Sequence, residues 1–496
     1  MKSMFNKGCS ALIIVIALCF MTLLTASGIS ENSGKNSNDL SELEILNPNE
    51  YQYVELTRAD KPEIISEAQV RENGHVVRLR EQETDLSTIC FQNRDGTKSV
   101  YFYGDPVKYI DSRGNIRDKS NVIHEITGEA TQKYAYVSDE NDINTYFPKE
   151  LSKDTSIVVD SGDYQIKLYP VYITDNFPVA NKVVDTELSE RNYIYYDDAF
   201  GRSTSLRYTP TFEGVKEDII LYEDVGANKF DFILQTNGLK ADVCNGQIVL
   251  TDQSGIPIGS LSEIVVYDSA VSINYFLDNI YDLTPLGTDG DYALSIIIDS
   301  EYIRDAKTVF PVFIDPTVYL YTSDGIQSAP IYSFTPTTAY PTASLFNVGY
   351  SSSYGVGRSL YRFPAFYQNS LYKSLSASQI TEFKFVIYET SNTSTVATIR
   401  VHLYNGPSWT DTSATFNNTS SGAYGIMLDS KSVGNTAGTF YGFDIKAAAV
   451  QWNAGTADPI KGIVMINANE SSSSHAKQFV STRNGPNQPY LMLKYT

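Results

Sequence analysis

The sequence predicts an all-β fold, antiparallel β-sandwiches arranged in series with a single short helix near the C-terminus. Three observations carry this. Alternating or β-branched runs recur at short intervals, among them SIVVD, YQIKLYPVYI, DIILY, FDFILQT, QIVLTD, EIVVYD, YALSIIID and VFPVFID, and such runs suit a pleated surface with a buried face. Turn residues separate them: Asp95-Gly96, Arg113-Gly114-Asn115, Ser161-Gly162-Asp163, Asn237-Gly238, Asn245-Gly246 and Asp289-Gly290 each put a glycine where a hairpin calls for positive φ. The charge then breaks near Pro316. Residues 29–316 carry 25 Lys and Arg against 50 Asp and Glu, whereas residues 317–496 carry 11 against 8. The second region is instead dense in Ser, Thr, Asn, Gly, Tyr and Phe, the composition of a β module whose surface works through hydrogen bonds and aromatic contacts. It is expected to be the working end.

In chain order, residues 1–28 read as a secretory signal peptide. Lys2 and Lys7 precede the apolar run ALIIVIALCFMTLLTA, and Ala26, Ser27 and Gly28 offer a small-residue exit. A retained anchor is the alternative, although the run falls short of the roughly 20 residues a spanning helix needs. A lipoprotein reading is poor because Cys19 follows Leu18. Residues 29–60 form a polar linker. Two β-rich domains are expected at 61–180 and 181–316, and a separate C-terminal module at 317–496. No membrane span is expected once the signal is removed.

Removal of the signal leaves Cys90 and Cys244 as the cysteines, too few for a disulfide framework or a thiolate metal site. One bridge between them stays open, and closing so long a loop would contribute roughly 4 to 5 kcal/mol; a thiol packed as a small apolar group is the alternative. His75, His124, His402 and His475 lie far apart and form no zinc-type pair. DENDINT at 139–145 lacks the glycine and terminal glutamate of an EF-hand loop. No cofactor is implied, with a structural calcium in a sandwich loop left open. The formal net charge is −20, and −22 without Lys2 and Lys7. Such acidity repels nucleic acid at long range, so nucleic acid is not an expected partner.

The expected helix lies in FDIKAAAVQWNAG. Asp444 is placed to accept backbone N–H groups, Ile445, Ala449 and Trp452 share one face, and Gly455 ends it. Trp452 is expected to anchor this helix on the sandwich, the alternative being a stacking contact with a ligand.

From about Val318 onward, GRSLYRFPAF, ITEFKFVIYET, TIRVHLYNGPSWTDTSATFNN, YGFDIKAAAVQWNAGTADPIKGIVMINANES and KQFVSTRNGPNQPYLMLKYT stand in an order that resembles a DNRLRE domain, also called carbohydrate-binding module family 96 and related to disaggregatase repeats. The resemblance implies a jelly-roll-like sandwich on an extracellular protein and a polysaccharide partner. In the front half, VVRLREQETDLSTICFQNRDGTKSVYFYGDPVKYIDSRGNIRDKSN, YYDDAFGRSTSLRYTPTFEGVKEDIILYE, NKFDFILQTNGL and TVFPVFIDPT resemble the N-terminal region of wall-associated and RHS-type bacterial surface proteins. The chain stops where the YD-repeats and toxin of such proteins would begin, so a toxin function is not expected.

Local chemistry has to supply the binding residues. In TIRVHLY, Ile399, Val401 and Leu403 face one way and Arg400, His402 and Tyr404 the other. Arg offers a planar fork of donors, His a donor and an acceptor, and Tyr a stacking face with a hydroxyl, a set that can grip sugar hydroxyls or a uronate carboxylate. A solvated or loop-covered strand face is the alternative. Trp409, in the turn-like NGPSW, is the fourth candidate, with structural packing as its alternative. Arg358 and Arg362 share a face of GRSLYRF and are expected to sit beside a carboxylate.

No G-x-S-x-G, HExxH or P-loop is present. A glycosidase needs only two carboxylates from distant strands, and a lyase could use Arg400, His402 and Tyr404, so a lyase or hydrolase stays as an alternative. The favoured reading is a secreted or cell-wall-associated, non-catalytic protein that binds extracellular polysaccharide. A structural surface protein without a specific ligand is the second alternative.

Overall fold

A computed structural model describes residues 61–496 except 128–132, 153, 172–178, 186–190, 245, 271–274, 277–279, 288–289, 322–324, 391–394, 420–423, 435–437 and 483–486. The signal peptide and polar linker lie outside the described residues. The described chain is predominantly β, and its strand pairings are antiparallel. The six expected turn glycines have φ between 82° and 92°. At Gly114 the reason is explicit: the Asp111 carboxylate accepts the N–H groups of Arg113 and Asn115 at 2.9 and 2.8 Å, closing a hairpin too tight for a right-handed residue at its tip.

The front half is one sandwich. One sheet runs in the order Ile280–Pro285, Asp291–Ile297, Lys229–Gln235, Gln165–Pro170, Ile157–Asp160, Asn144–Pro148, Tyr134–Ser138 and His124–Glu125. The facing sheet is built around Thr204–Thr211, Gly214–Leu221, Thr317–Leu320, Pro257–Leu261 and Gln247–Thr251. Their inner faces share a core that extends from Ile123 to Leu320. The expected division into 61–180 and 181–316 is therefore corrected, because Gln165–Pro170 pairs with Lys229–Gln235 across that boundary.

The boundary at Pro316 also moves. Strands Val312–Asp315 and Thr317–Leu320 both pair with Gly214–Leu221, and the Pro316 carbonyl between them accepts the Glu217 N–H at 3.1 Å. Pro316 thus lies within the front sandwich. Proline is tolerated because its missing N–H leaves this ladder contact intact.

The C-terminal sandwich is completed by residues far upstream. Lys98–Tyr103 pairs along its length with Tyr490–Tyr495, and Thr88–Asn93 and His75–Arg78 extend the same sheet. Tyr490–Tyr495 pairs in turn with Ile380–Glu389. The second sheet runs Gln327–Tyr332, Gly355–Arg362, Ile463–Asn467, Ala397–Tyr404 and Tyr424–Val433. Cys90, Val100 and Phe102 enter the core between the sheets beside Phe383, Phe385, Leu491 and Leu493. The front sandwich is therefore an insertion between two parts of this one, and a module confined to 317–496 is corrected.

Beyond the short helices Ser370–Ser374 and Phe416–Thr419, which add to the single helix expected, two longer helices cover the C-terminal sandwich. Lys446–Asn453 forms where expected, with the Asp444 carboxylate accepting the Lys446 N–H at 2.8 Å and Gly455 ending the helix at φ 67°. Ile445, Ala449 and Trp452 are buried, with the indole against Phe363 and Phe383. Glu67–Asn73 is an additional helix, opened by a reciprocal capping box between Ser66 and Gln69. It covers the outer face of the first sheet through Val70, beside Phe91, Tyr101 and Tyr490. Cys90 is buried here, whereas Cys244 is exposed on the front sandwich; both are free thiols, which corrects the bridge left open above.

Candidate functional site

The outer face of the second C-terminal sheet collects the residues singled out from the sequence. Strand Ala397–Tyr404 is flanked by Ile463–Asn467 and Tyr424–Val433, and its period of two holds: Ile399, Val401 and Leu403 enter the core while Arg400, His402 and Tyr404 point outward. The outward residues meet different surroundings. Arg400 is exposed, His402 is half-buried, and Tyr404 is 1% exposed.

Tyr404 is covered because the chain after it folds back over the sheet. Trp409 and Ala414 close over Ala329, Leu360, Tyr404 and Val464 as a small apolar cluster outside the main core. Trp409 is 3% exposed, and its indole N–H donates to the Lys461 carbonyl at 3.0 Å. The Arg362 guanidinium lies 5.3 Å from the ring centroid. Neither aromatic face is free for a pyranose, so the stacking roles expected of Tyr404 and Trp409 are corrected to packing roles. Burial also pushes the Tyr404 hydroxyl up to about 12, so it stays protonated near neutrality.

A polar cluster borders that apolar lid. Arg358 Nε and Nη2 donate to the two Glu470 carboxylate oxygens, both at 2.7 Å, and Nη1 donates to the Tyr424 hydroxyl. The guanidinium also lies 5.2 Å from the Tyr424 ring centroid and 5.6 Å from that of Phe416. The carboxylate partner expected for Arg358 is thus Glu470, whereas Arg362 donates to Gln327 at 2.6 Å instead. His402 donates from Nδ1 to the Gly425 carbonyl at 3.3 Å, with its ring 6.1 Å from Tyr424. Its Nε2 is buried without a hydrogen-bond partner. Sequence reasoning missed Phe416, Tyr424 and Glu470, although the first lies in the quoted SWTDTSATFNN phrase.

Glu470 is held in a two-point clamp by Arg358. Among the described residues, no three His, Cys, Asp or Glu side chains group as metal ligands. Thr398 and Arg400 are the exposed polar residues of the strand, with His402 half-buried next to them.

Residues 335–495 match the family model of carbohydrate-binding module family 96. The chain is also similar to the tRNA(Glu)-specific nuclease WapA of Bacillus subtilis subsp. natto (strain BEST195), 23% identical over 449 residues, and to the tRNA nuclease WapA of Bacillus subtilis (strain 168), 22% identical over the same length. Each match covers 86% of this chain but 18% of the relative, so the chain spans about a fifth of the length of these curated relatives. The expectation that nucleic acid is excluded as a partner draws no support from relatives with such names.

Proposed function

We propose that the chain is a secreted or cell-wall-associated protein that binds extracellular polysaccharide through its C-terminal sandwich, without cleaving it. The observation that carries this reading is the match of residues 335–495 to a carbohydrate-binding family, on a sandwich whose outer face leaves Arg400 exposed and His402 half-buried beside the Arg358–Glu470 clamp. Arg400 supplies donors to sugar hydroxyls, with the half-buried His402 ring next to it on the same face. Among the described residues no helix is long and apolar enough to cross a membrane.

The test is affinity electrophoresis of the full chain in gels carrying a panel of neutral and anionic polysaccharides, with released reducing ends and unsaturated uronates assayed in parallel. Retardation without products is expected. Product release would replace this reading with a lyase or hydrolase, and the absence of retardation in every gel would overturn it. Arg400→Ala combined with His402→Ala tests the outer face: retention of all retardation by that variant would remove the face from the binding surface.

A further inference from the structure

At one end of the C-terminal sandwich, aromatic rings stand open to solvent where packing would normally hide them. Phe334 is 56% exposed and Tyr354 40% exposed. Their backbones are hydrogen-bonded, the Phe334 N–H donating to the Tyr354 carbonyl at 3.2 Å, so the two side chains leave adjacent stretches of chain. A concentration of exposed aromatic surface on a folded protein marks an interaction site more often than an accident of packing.

Both rings are held in place from below. Tyr354 stacks on Tyr332, with centroids 4.7 Å apart and planes 27° apart, and Tyr332 is itself buried, with Tyr340 against its edge at 5.2 Å. The Ser351 Oγ accepts the Tyr354 N–H at 3.1 Å and fixes the turn. Phe334 lies against Gly355: a Cβ there would run into Ser333 Oγ and stand 2.5 Å from Phe334 Cδ1 and 2.8 Å from Cε1. The glycine also has φ 70°, so its place under the ring is required twice over. Tyr350 braces Phe334 edge-on at 6.4 Å. Each exposed ring therefore has one supported face and one open one, an arrangement that loses little conformational entropy on binding.

The charge pattern selects the ligand. The stretch 333–357 contains no Lys, Arg, His, Asp or Glu, and its polar groups are hydroxyls and amides. The charge that reaches Tyr354 is the Glu263 carboxylate of the front sandwich, which adds to burial in raising the phenol. An anionic polymer would find no cation within this stretch, and the adjoining Arg358 is already clamped to Glu470. A neutral pyranose instead offers polarised axial C–H bonds to the negative face of an aromatic ring and equatorial hydroxyls to the surrounding Ser and Thr side chains.

We propose that Phe334 and Tyr354 form a stacking platform for a neutral polysaccharide chain, separate from the Arg400 and His402 face. The proposal rests on the reading of the sandwich as a polysaccharide-binding module but not on which face that reading uses.

Affinity gels with a mixed-linkage glucan or a mannan are compared with gels carrying polygalacturonate, using the full chain, the Phe334→Ala/Tyr354→Ala variant and the Arg400→Ala/His402→Ala variant. The parent is expected to be retarded by a neutral polymer, the platform variant to lose about ten-fold in affinity there, and the Arg400/His402 variant to keep it. Phe334→Tyr with Tyr354→Trp is expected to preserve retardation, and unchanged thermal unfolding shows that the fold survives. Neutral-polymer retardation that persists in the platform variant overturns the proposal while leaving polysaccharide binding intact; so does retardation confined to polygalacturonate. Failure of the parent in every gel overturns both. A dimer seen by sedimentation equilibrium and abolished by Phe334→Ala, without gel retardation, assigns the rings to self-association instead.

Discussion

Tyr101 and Tyr490, from opposite ends of the described chain, stand on paired strands with ring centroids 5.9 Å apart, and both hydroxyls accept from the same helix. Gln69 Nε2 donates to Tyr490 at 2.9 Å and Asn73 Nδ2 to Tyr101 at 3.2 Å. This contact ties residues upstream of the front sandwich to the final strand. A chain lacking residues 61–107 would leave Tyr490–Tyr495 without its Lys98–Tyr103 partner and expose the Leu491 and Leu493 side of the core. Such a chain is expected to lose the cooperative urea transition of its C-terminal sandwich, followed by near-UV circular dichroism. A native-like transition would show that the upstream strands are dispensable.

His75 sits in the same network, with Nδ1 2.7 Å from Asn93 Oδ1 and Nε2 2.8 Å from the Tyr101 hydroxyl. Burial is the main cause that lowers it from 6.5 to about 4. Between those values the unfolded chain binds a proton that the folded chain refuses, so stability is full above about 6.5 and falls as pH drops toward 4. The loss is expected to reach roughly 3 kcal/mol. Urea titrations from pH 7 to pH 4 check it, and His75→Gln should flatten that part of the profile.

Glu217 predicts the opposite slope. Its side chain faces the front core near Tyr208, it is 2% exposed, and burial pushes its carboxyl up to about 8. The folded chain holds a proton that the unfolded chain releases above about 4.5, so this group costs stability as pH rises from about 4.5 to 8. Glu217→Gln is expected to stabilise the front sandwich by roughly 3 kcal/mol at pH 7 and to have little effect at pH 4. Equal stability of the two chains at pH 7 would show that the carboxylate is better solvated than its surroundings imply.

Trp409 separates packing from recognition. Trp409→Phe keeps a ring under Arg362 but removes the N–H that donates to the Lys461 carbonyl, and is expected to cost about 1 kcal/mol. Trp409→Ala opens the lid over Leu360 and Val464 and is expected to cost about 3 to 5 kcal/mol. Polysaccharide retardation by the Phe variant should match the parent at a temperature where both are folded; a selective loss of binding would return the indole to the ligand site.

The two thiols should differ in accessibility. Cys244 is exposed, whereas Cys90 is 1% exposed and its thiol is raised by burial and by the Glu83 carboxylate. In a chain lacking residues 1–28, and with them Cys9 and Cys19, an aromatic disulfide reagent is expected to modify one thiol per folded chain and a second only in denaturant. Two thiols titrating rapidly under native conditions would contradict the core placement of Cys90.

Features encoded over a few residues were legible before any coordinates. The turn at Asp111 to Asn115 announces itself because the acceptor, the donors and the glycine are sequence neighbours. The helix after Asp444 does so because its apolar spacing repeats within two turns. The inward and outward faces of TIRVHLY also followed from strand geometry alone. That Tyr404 is covered while Arg400 is not depends on where residues 405–419 return, and no local pattern encodes that path. Trp409 was ambiguous for the same reason: an indole suits a sugar and a hydrophobic lid equally until Arg362 and Lys461 arrive beside it.

By itself, then, the sequence determined an all-β chain, its hairpin turns, its late helix and a sparsely charged C-terminal region resembling a sugar-binding family. Only the tertiary structure decided that residues 75–103 complete that region, that Pro316 lies inside the front sandwich, and which aromatic rings remain open. The physical reason is that strand hydrogen bonds carry no record of sequence separation. Lys98–Tyr103 and Tyr490–Tyr495 each present an unpaired ladder until the fold brings them together.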